Sequence, residues 1–200
     1  MTVPEFTKER FYVDHVHMHG IACLQRHVNR YKWAVSLLKP GSVVLDAACG
    51  SGYGDFILLN AASKVVGVDV SQEAIDYAVA KAKKQNEERL VYSTVDVSEL
   101  NYQNQFDHVV SLETIEHMDK AKQEAFVSRV GIALKVGGSF LVSTPVKDSQ
   151  PTTEYHSREM TRDEFHDLLV SHFMEVNYFD PEKYGIPKHF ILAQCSGVKI

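Results

Sequence analysis

The stretch Val43-Val44-Leu45-Asp46-Ala47-Ala48-Cys49-Gly50-Ser51-Gly52-Tyr53-Gly54 decides how the rest of the chain is read. An apolar run ends in an acid and small residues. Three glycines then alternate with other residues before helix-compatible sequence begins. That is the pattern of a buried parallel strand, a tight turn and the N-terminus of a helix. Gly50, Gly52 and Gly54 let the backbone take positive φ and let a ligand lie against the main chain. The spacing is G-x-G-x-G, whereas the dinucleotide fingerprint G-x-G-x-x-G would need glycine at 55, where this chain has Asp55. A pyrophosphate beside Asp46 and Asp55 would also meet like charge. A cationic, phosphate-free nucleoside would not.

Outward from that stretch, apolar runs alternate with helical patterns. Residues 65–69, 90–95, 106–112 and 140–144 read as further strands, the last stopped by Pro145. Residues 53–61, 71–85, 120–134 and 161–171 read as helices. Ser71 caps the second of these, with Glu73 in its first turn and Lys81, Lys83 and Lys84 near its last. Gly137-Gly138 closes the third, and Thr161 with Glu164 forms a capping box at the fourth. Residues 176–179 and 189–195 make two last strands with no helix between them, hence an antiparallel pair. The fold class is α/β: a doubly wound, seven-stranded, mostly parallel sheet in a single domain.

Before the first strand, Ile21, Leu24, Val28, Tyr31, Val35 and Leu38 recur at three- and four-residue steps, an amphipathic helix ended by Lys39-Pro40-Gly41. Residues 1–40 form an N-terminal segment and helix, and residues 41–200 the α/β unit. His15, His17 and His19 alternate, so they share one face of an extended segment, either a metal site or a solvated stretch.

The net charge of −5 gives no electrostatic footprint for nucleic acid. No apolar run approaches the roughly 20 residues of a membrane helix, and the first residues lack the layout of a signal peptide. Three widely spaced cysteines suggest neither a disulfide framework nor a zinc knuckle, which places the chain in a reducing cytoplasm. Oligomeric state is left open.

Four pieces carry a family resemblance: the glycine turn with Val65-Val66-Gly67-Val68-Asp69, then Asp96, then Phe106-Asp107-His108-Val109-Val110, then Leu134-Lys135-Val136-Gly137-Gly138. In this order they resemble the class I S-adenosylmethionine-dependent methyltransferases, in particular type-11-like small-molecule enzymes. The resemblance implies a Rossmann-like methyltransferase fold with strand order 3-2-1-4-5-7-6, an N-terminal lid helix, and S-adenosylmethionine as cofactor. The expected cofactor residues are Asp46, Gly50, Ser51, Gly52, Asp69, Val70, Asp96, Val97 and Leu112. Asp69, ending strand two, can accept from both ribose hydroxyls. Asp96 would accept from the adenine amino group, or else make only an Asx turn with Ser98.

Candidates for proton handling cluster in Glu113-Thr114-Ile115-Glu116-His117, where one helical turn would point Glu and His to one side. The segment resembles the E-x-x-E-H of quinone-precursor O-methyltransferases and of methyltransferases acting at RNA 3′ ends. That implies a divalent metal ion held by Glu113, Glu116 and His117, with His156 as a further ligand. Metal binding, proton relay and structural hydrogen bonding all remain open for these residues, and Glu113, Glu116 and His117 are the catalytic candidates. Tyr31, His156 and Arg158 are the substrate candidates, with His27, Asn29 and Arg30 beside Tyr31 on the lid helix. Tyr155, His156, Arg158 and Glu159 resemble an H-x-R-E stretch of bacterial small-molecule methyltransferases. His108 reads as a satisfied core histidine and Cys49 as small packing.

The expected function is methyl transfer to a small-molecule acceptor, at oxygen. Ser111-Leu112-Glu113-Thr114 stands where amino-group DNA methyltransferases carry N-P-P-Y or D-P-P-Y. The alternatives are an RNA 2′-O-methyltransferase with a divalent metal, a non-catalytic S-adenosylmethionine-binding module, and, disfavoured by Asp55, a nicotinamide oxidoreductase.

Overall fold

A computed structural model describes residues 21–147 and 155–199. The histidines at 15, 17 and 19 lie outside the described residues. In chain order the elements are α1 (Ile21–Leu37), β1 (Val43–Ala47), α2 (Tyr53–Leu58), β2 (Lys64–Asp69), α3 (Gln72–Lys84), β3 (Leu90–Thr94), β4 (Phe106–Leu112), α4 (Lys120–Ala133), β5 (Leu134–Pro145), α5 (Arg162–His172), β6 (Phe173–Phe179) and β7 (Phe190–Val198). The seven strands form one sheet in the order β3-β2-β1-β4-β5-β7-β6. β1 pairs in parallel with both β2 and β4, and β7 runs antiparallel to β5 and β6. This is the expected doubly wound sheet.

Period-two alternation along the strands sorts the core onto two faces. Leu45, Ala47, Val109, Phe140 and Val142 pack with Phe126 of α4 and Phe165 of α5. Val44, Val65, Val110 and Leu141 pack on the other face with Trp33 and Ala34 of α1, Leu58 of α2 and Ala82 of α3. α1 is therefore part of the core as well as a neighbour of the site, and its Trp33 is fully buried.

The fifth strand departs from its expected bounds. It begins at Leu134, directly after α4, and Gly137-Gly138 lies inside it. The register with β4 shifts from Phe106↔Leu134 to His108↔Ser139, so the glycine pair sits in a bulge that re-aims the strand. Gly137 takes φ 77° there. The sequence signal was a turn, and both a turn and a bulge ask for the same residue.

His108 is buried, as expected. The Lys39 backbone N–H donates to its Nε2 at 3.1 Å, so Nδ1 carries the hydrogen and donates to Ser139 Oγ at 2.8 Å. Burial lowers its pKa, outweighing the charge of Asp107.

Candidate functional site

A cavity of about 600 Å³ opens beyond the carboxyl ends of the central strands, where ligands of open α/β sheets sit. Residues 48–51 and 53 of the glycine turn line it; Gly52, expected against the cofactor, does not, and a Cβ there would meet Tyr92 and Ala78. Ala48, Gly50 and Gly52 all have positive φ, at 71°, 54° and 71°. For Ala48 this conformation is uncommon, and it is held by hydrogen bonds from Ala48 N and Cys49 N to Val68 O at 2.8 and 2.9 Å. Gly54 has another purpose than the one expected. It lies in α2, and a Cβ there would fall on the Tyr31 ring, so this glycine lets α1 sit against the turn.

Asp69 ends β2 beside that wall. Its Oδ2 accepts from Gly50 N at 3.0 Å and its Oδ1 from Ser71 N at 2.9 Å, tying the glycine turn to the start of α3. At one end of the cavity stand Val70, Asp96, Val97 and Leu112. Asp96 makes the Asx turn foreseen as an alternative, accepting from Ser98 N at 3.0 Å and Ser98 Oγ at 2.8 Å. Its Oδ2 also accepts from Lys122 Nζ at 2.7 Å. Partial burial pushes its pKa up, but Lys122 and the Ser98 donors outweigh that and hold it below the usual range.

The opposite end gathers the acids and histidines. Glu113 follows β4 in a left-handed conformation, φ 58°, which turns its side chain towards α1 and β5. There it accepts from Arg30 Nη2 at 3.2 Å and from Ser143 Oγ at 2.6 Å. Glu116 is 1 % exposed and accepts from Thr144 Oγ1 at 3.2 Å. Burial, then the charge of Glu113, pushes its pKa well up. His117 Nδ1 lies 3.1 Å from the Tyr155 carbonyl, and a carbonyl only accepts, so that nitrogen carries the hydrogen and Nε2 is the basic atom. His156 Nδ1 lies 2.6 Å from Glu159 Oε1 and is fixed in the same sense. The two imidazoles meet edge to face with centroids 5.0 Å apart.

One ligand atom each of Glu116, His117 and His156 lies within 4.8 Å of the others, a spacing that a divalent ion could bridge. Each imidazole donates through Nδ1 to an oxygen, the arrangement that orients metal-ligating histidines. Glu113, expected as a fourth ligand, is not in this group; Arg30 and Ser143 hold it instead.

Other expected residues take supporting positions. Asp46 lies beneath the turn and is absent from the cavity wall. The Tyr31 hydroxyl, expected against substrate, donates to Asp46 Oδ2 at 2.9 Å. Arg158, also expected against substrate, donates to Glu164 Oε1 at 2.7 Å and bonds Gln123, while its backbone N–H donates to Glu116 O at 3.0 Å. It braces the loop under His156 and does not line the cavity. Arg30, one of the lid-helix candidates, is tied to Glu113. It is buried over the Phe190 ring at 4.5 Å, and its Nε has no partner among the described residues.

Residues 44–138 match the family described as a methyltransferase domain. Those residues are similar to a methyltransferase domain, and the sheet that carries them has the order β3-β2-β1-β4-β5-β7-β6. A probable S-adenosylmethionine-dependent methyltransferase of Mycolicibacterium smegmatis is 32 % identical to it over 149 residues, 68 % of this chain and 53 % of that protein. The mitochondrial ubiquinone biosynthesis O-methyltransferase of Dictyostelium discoideum is 37 % identical over 116 residues, 52 % of this chain and 35 % of that protein. The chain spans about half the length of the first of these relatives. Among solved structures, a Pyrococcus horikoshii OT3 protein superposes with TM-score 0.73 at 17 % identity, covering 94 % of this chain and 100 % of that one. The 1,6-didemethyltoxoflavin-N1-methyltransferase of Burkholderia thailandensis does so with TM-score 0.70 at 21 % identity, covering 94 % and 85 %. These likenesses bear out the fold of the methyltransferase domain. Among the described residues, no helix is long and apolar enough to cross a membrane.

Proposed function

We propose that this domain transfers the methyl group of S-adenosylmethionine to a hydroxyl oxygen of a small-molecule acceptor. The observation that carries the reading is one cavity lined by Asp69 and Asp96 and also by Glu113, Glu116, His117 and His156. The residues present fit the cofactor. Asp69 projects from the strand end where ribose hydroxyls need an acceptor, Asp96 and Val97 suit the adenine edge, and the unpartnered Nε of buried Arg30 suits a carboxylate. When bound, S-adenosylmethionine supplies an electrophilic methyl on a sulfonium sulfur.

The chain then has to align the acceptor oxygen with that methyl, exclude water and take a proton. α1 covers the mouth through His27, Arg30 and Tyr31, which supports the lid reading of the N-terminal part. His117 Nε2 accepts the hydroxyl proton, because Nδ1 is committed to Tyr155 O. Glu113, held by Arg30 and Ser143, fixes the lid helix against the catalytic turn. A divalent ion held by Glu116, His117 and His156 would lower the acceptor pKa, and the donor set suits manganese, iron or zinc. With an ion bound, His117 would be a ligand and not the proton acceptor. The O-methyltransferase relative supports an oxygen acceptor, and three unbridged thiols support a reducing, cytoplasmic setting.

A methyl-transfer screen against catechols, sugars and short RNAs, run with and without EDTA, tests this reading. Turnover on a small hydroxyl acceptor, lost in chelator and restored by a divalent ion, is expected. Full turnover in chelator would leave His117 acting as proton acceptor without a metal. Turnover on RNA alone would replace the small-molecule acceptor.

A further inference from the structure

Glu116 and His117 stand on the turn after β4, and His156 stands on the segment before α5. The spacing of these groups therefore depends on how two separate segments are held together. Two bonds pass directly between them: Arg158 N donates to Glu116 O at 3.0 Å, and His117 Nδ1 to Tyr155 O at 3.1 Å. A third group joins them from outside. Gln123, in the first turn of α4 and 1 % exposed, donates from Nε2 to Ile115 O at 2.9 Å and to Arg158 O at 3.0 Å. Its Oε1 accepts from Arg158 Nη1.

Those partners fix which way the amide points, because carbonyls only accept and a guanidinium only donates. Both N–H bonds and the oxygen of the side chain are used. Glutamate of the same length would lack both donors, and methionine would lack all three groups. The helix beneath is anchored. Asp119 caps it by accepting from Lys122 N at 2.9 Å, and Phe126, Val127 and Val130 bury its inner face in the core.

We propose that Gln123 is a positioning residue, whose single amide sets the spacing of His117 and His156 before any ligand binds. It does not line the cavity, and it acts through the backbone at Ile115 and Arg158. Its effect on turnover rests on the reading of the acid–histidine end as the reacting end. Without the amide, the turn and the 155–159 segment lose their common tie to α4, and the bond from His117 Nδ1 to Tyr155 O loosens with them. A displacement of about 1 Å at a reacting group costs up to about a hundredfold in rate.

The His117 ring reports the spacing without any substrate. Nitrogen NMR of the cofactor-free, histidine-labelled protein at pH 8, with His117→Asn assigning the signal, should show His117 as one Nδ1–H tautomer. Gln123→Met should show a mixture of both tautomers. Arg158→Met keeps the two carbonyl bonds of Gln123, so it should keep the single tautomer even where its urea midpoint falls as far. A wild-type His117 without that tautomer overturns the proposal, as does a single tautomer in Gln123→Met. A mixture in Arg158→Met also overturns it, because general loosening would then suffice. In turnover, Gln123→Met should lower kcat at least about tenfold with KM for S-adenosylmethionine within about twofold of wild type. An unchanged kcat, or a loss confined to KM, overturns it too. If the wild type methylates no acceptor, the functional reading fails, and the spectra still decide whether Gln123 sets the spacing. Gln123→Glu, which lacks the same two donors, replaces Gln123→Met if that variant does not fold.

Discussion

Gly54→Ala sets two effects of opposite sign against each other. In an ordinary helix the change favours folding by about 1 kcal/mol, because glycine is the poorer helix former. Here the new methyl would occupy the space of the Tyr31 ring, which is 5 % exposed and cannot swing into solvent without lifting α1. Overpacking of this kind costs about 1–3 kcal/mol. Displacing Tyr31 also breaks its hydrogen bond to Asp46, about 1.5–3 kcal/mol for a bond to a charged group. The losses outweigh the helix gain, and net destabilisation of about 2–5 kcal/mol is expected. Urea unfolding of the wild type, Gly54→Ala, Tyr31→Ala and the double variant gives the assay. With Tyr31 shortened the methyl has room, so in that background Gly54→Ala should cost about nothing or stabilise by up to about 1 kcal/mol. An equal cost in both backgrounds, or a stabilised single variant, would refute the packing of α1 on the turn.

Asp69→Ala should weaken S-adenosylhomocysteine binding by about 2–4 kcal/mol in calorimetry, since ribose hydroxyls and the Gly50 N–H all lose an acceptor. Unchanged affinity in a folded variant would show that Asp69 does not hold the ribose. Glu116→Ala and His117→Ala should each be nearly inactive while binding the cofactor as the wild type does; turnover within threefold of wild type in either would remove that residue from the chemistry. His108 predicts acid sensitivity. Its folded pKa is depressed below the ordinary 6.5, so the unfolded chain takes up the proton first and stability falls as pH drops below that value. His108→Gln should therefore lose less stability than the wild type between pH 7 and pH 5, as read from urea midpoints at each pH. A parallel loss in both proteins would show that His108 is not the group responsible.

The sheet was legible because its signals are local. Residues 43–46 and 65–69 are apolar runs ended by acids, and the capping box of Thr161 and Glu164 forms as the sequence suggested. Asp69 and Asp96 line the cavity because each stands at or just past a strand end, a position that the sequence pattern marks. What stayed hidden depends on contacts between distant segments. The left-handed turn at Glu113 sends one carboxylate of the E-x-x-E-H stretch towards Arg30, 83 residues earlier, instead of towards His117. Arg158 reads as a substrate cation until Gln123, 35 residues away, is seen to engage it. Tyr31 and Asp55 follow the same rule, since helical periodicity marks a buried face without saying what that face meets.

The central claim is that this cavity binds S-adenosylmethionine and its product. Titrating the protein with S-adenosylhomocysteine and, separately, with NAD by calorimetry tests it most directly. One nucleoside site per chain for S-adenosylhomocysteine, weakened in Asp69→Ala, with no heat from NAD, is the predicted result. Saturable binding of NAD, or no binding of S-adenosylhomocysteine to the folded protein, would contradict the account.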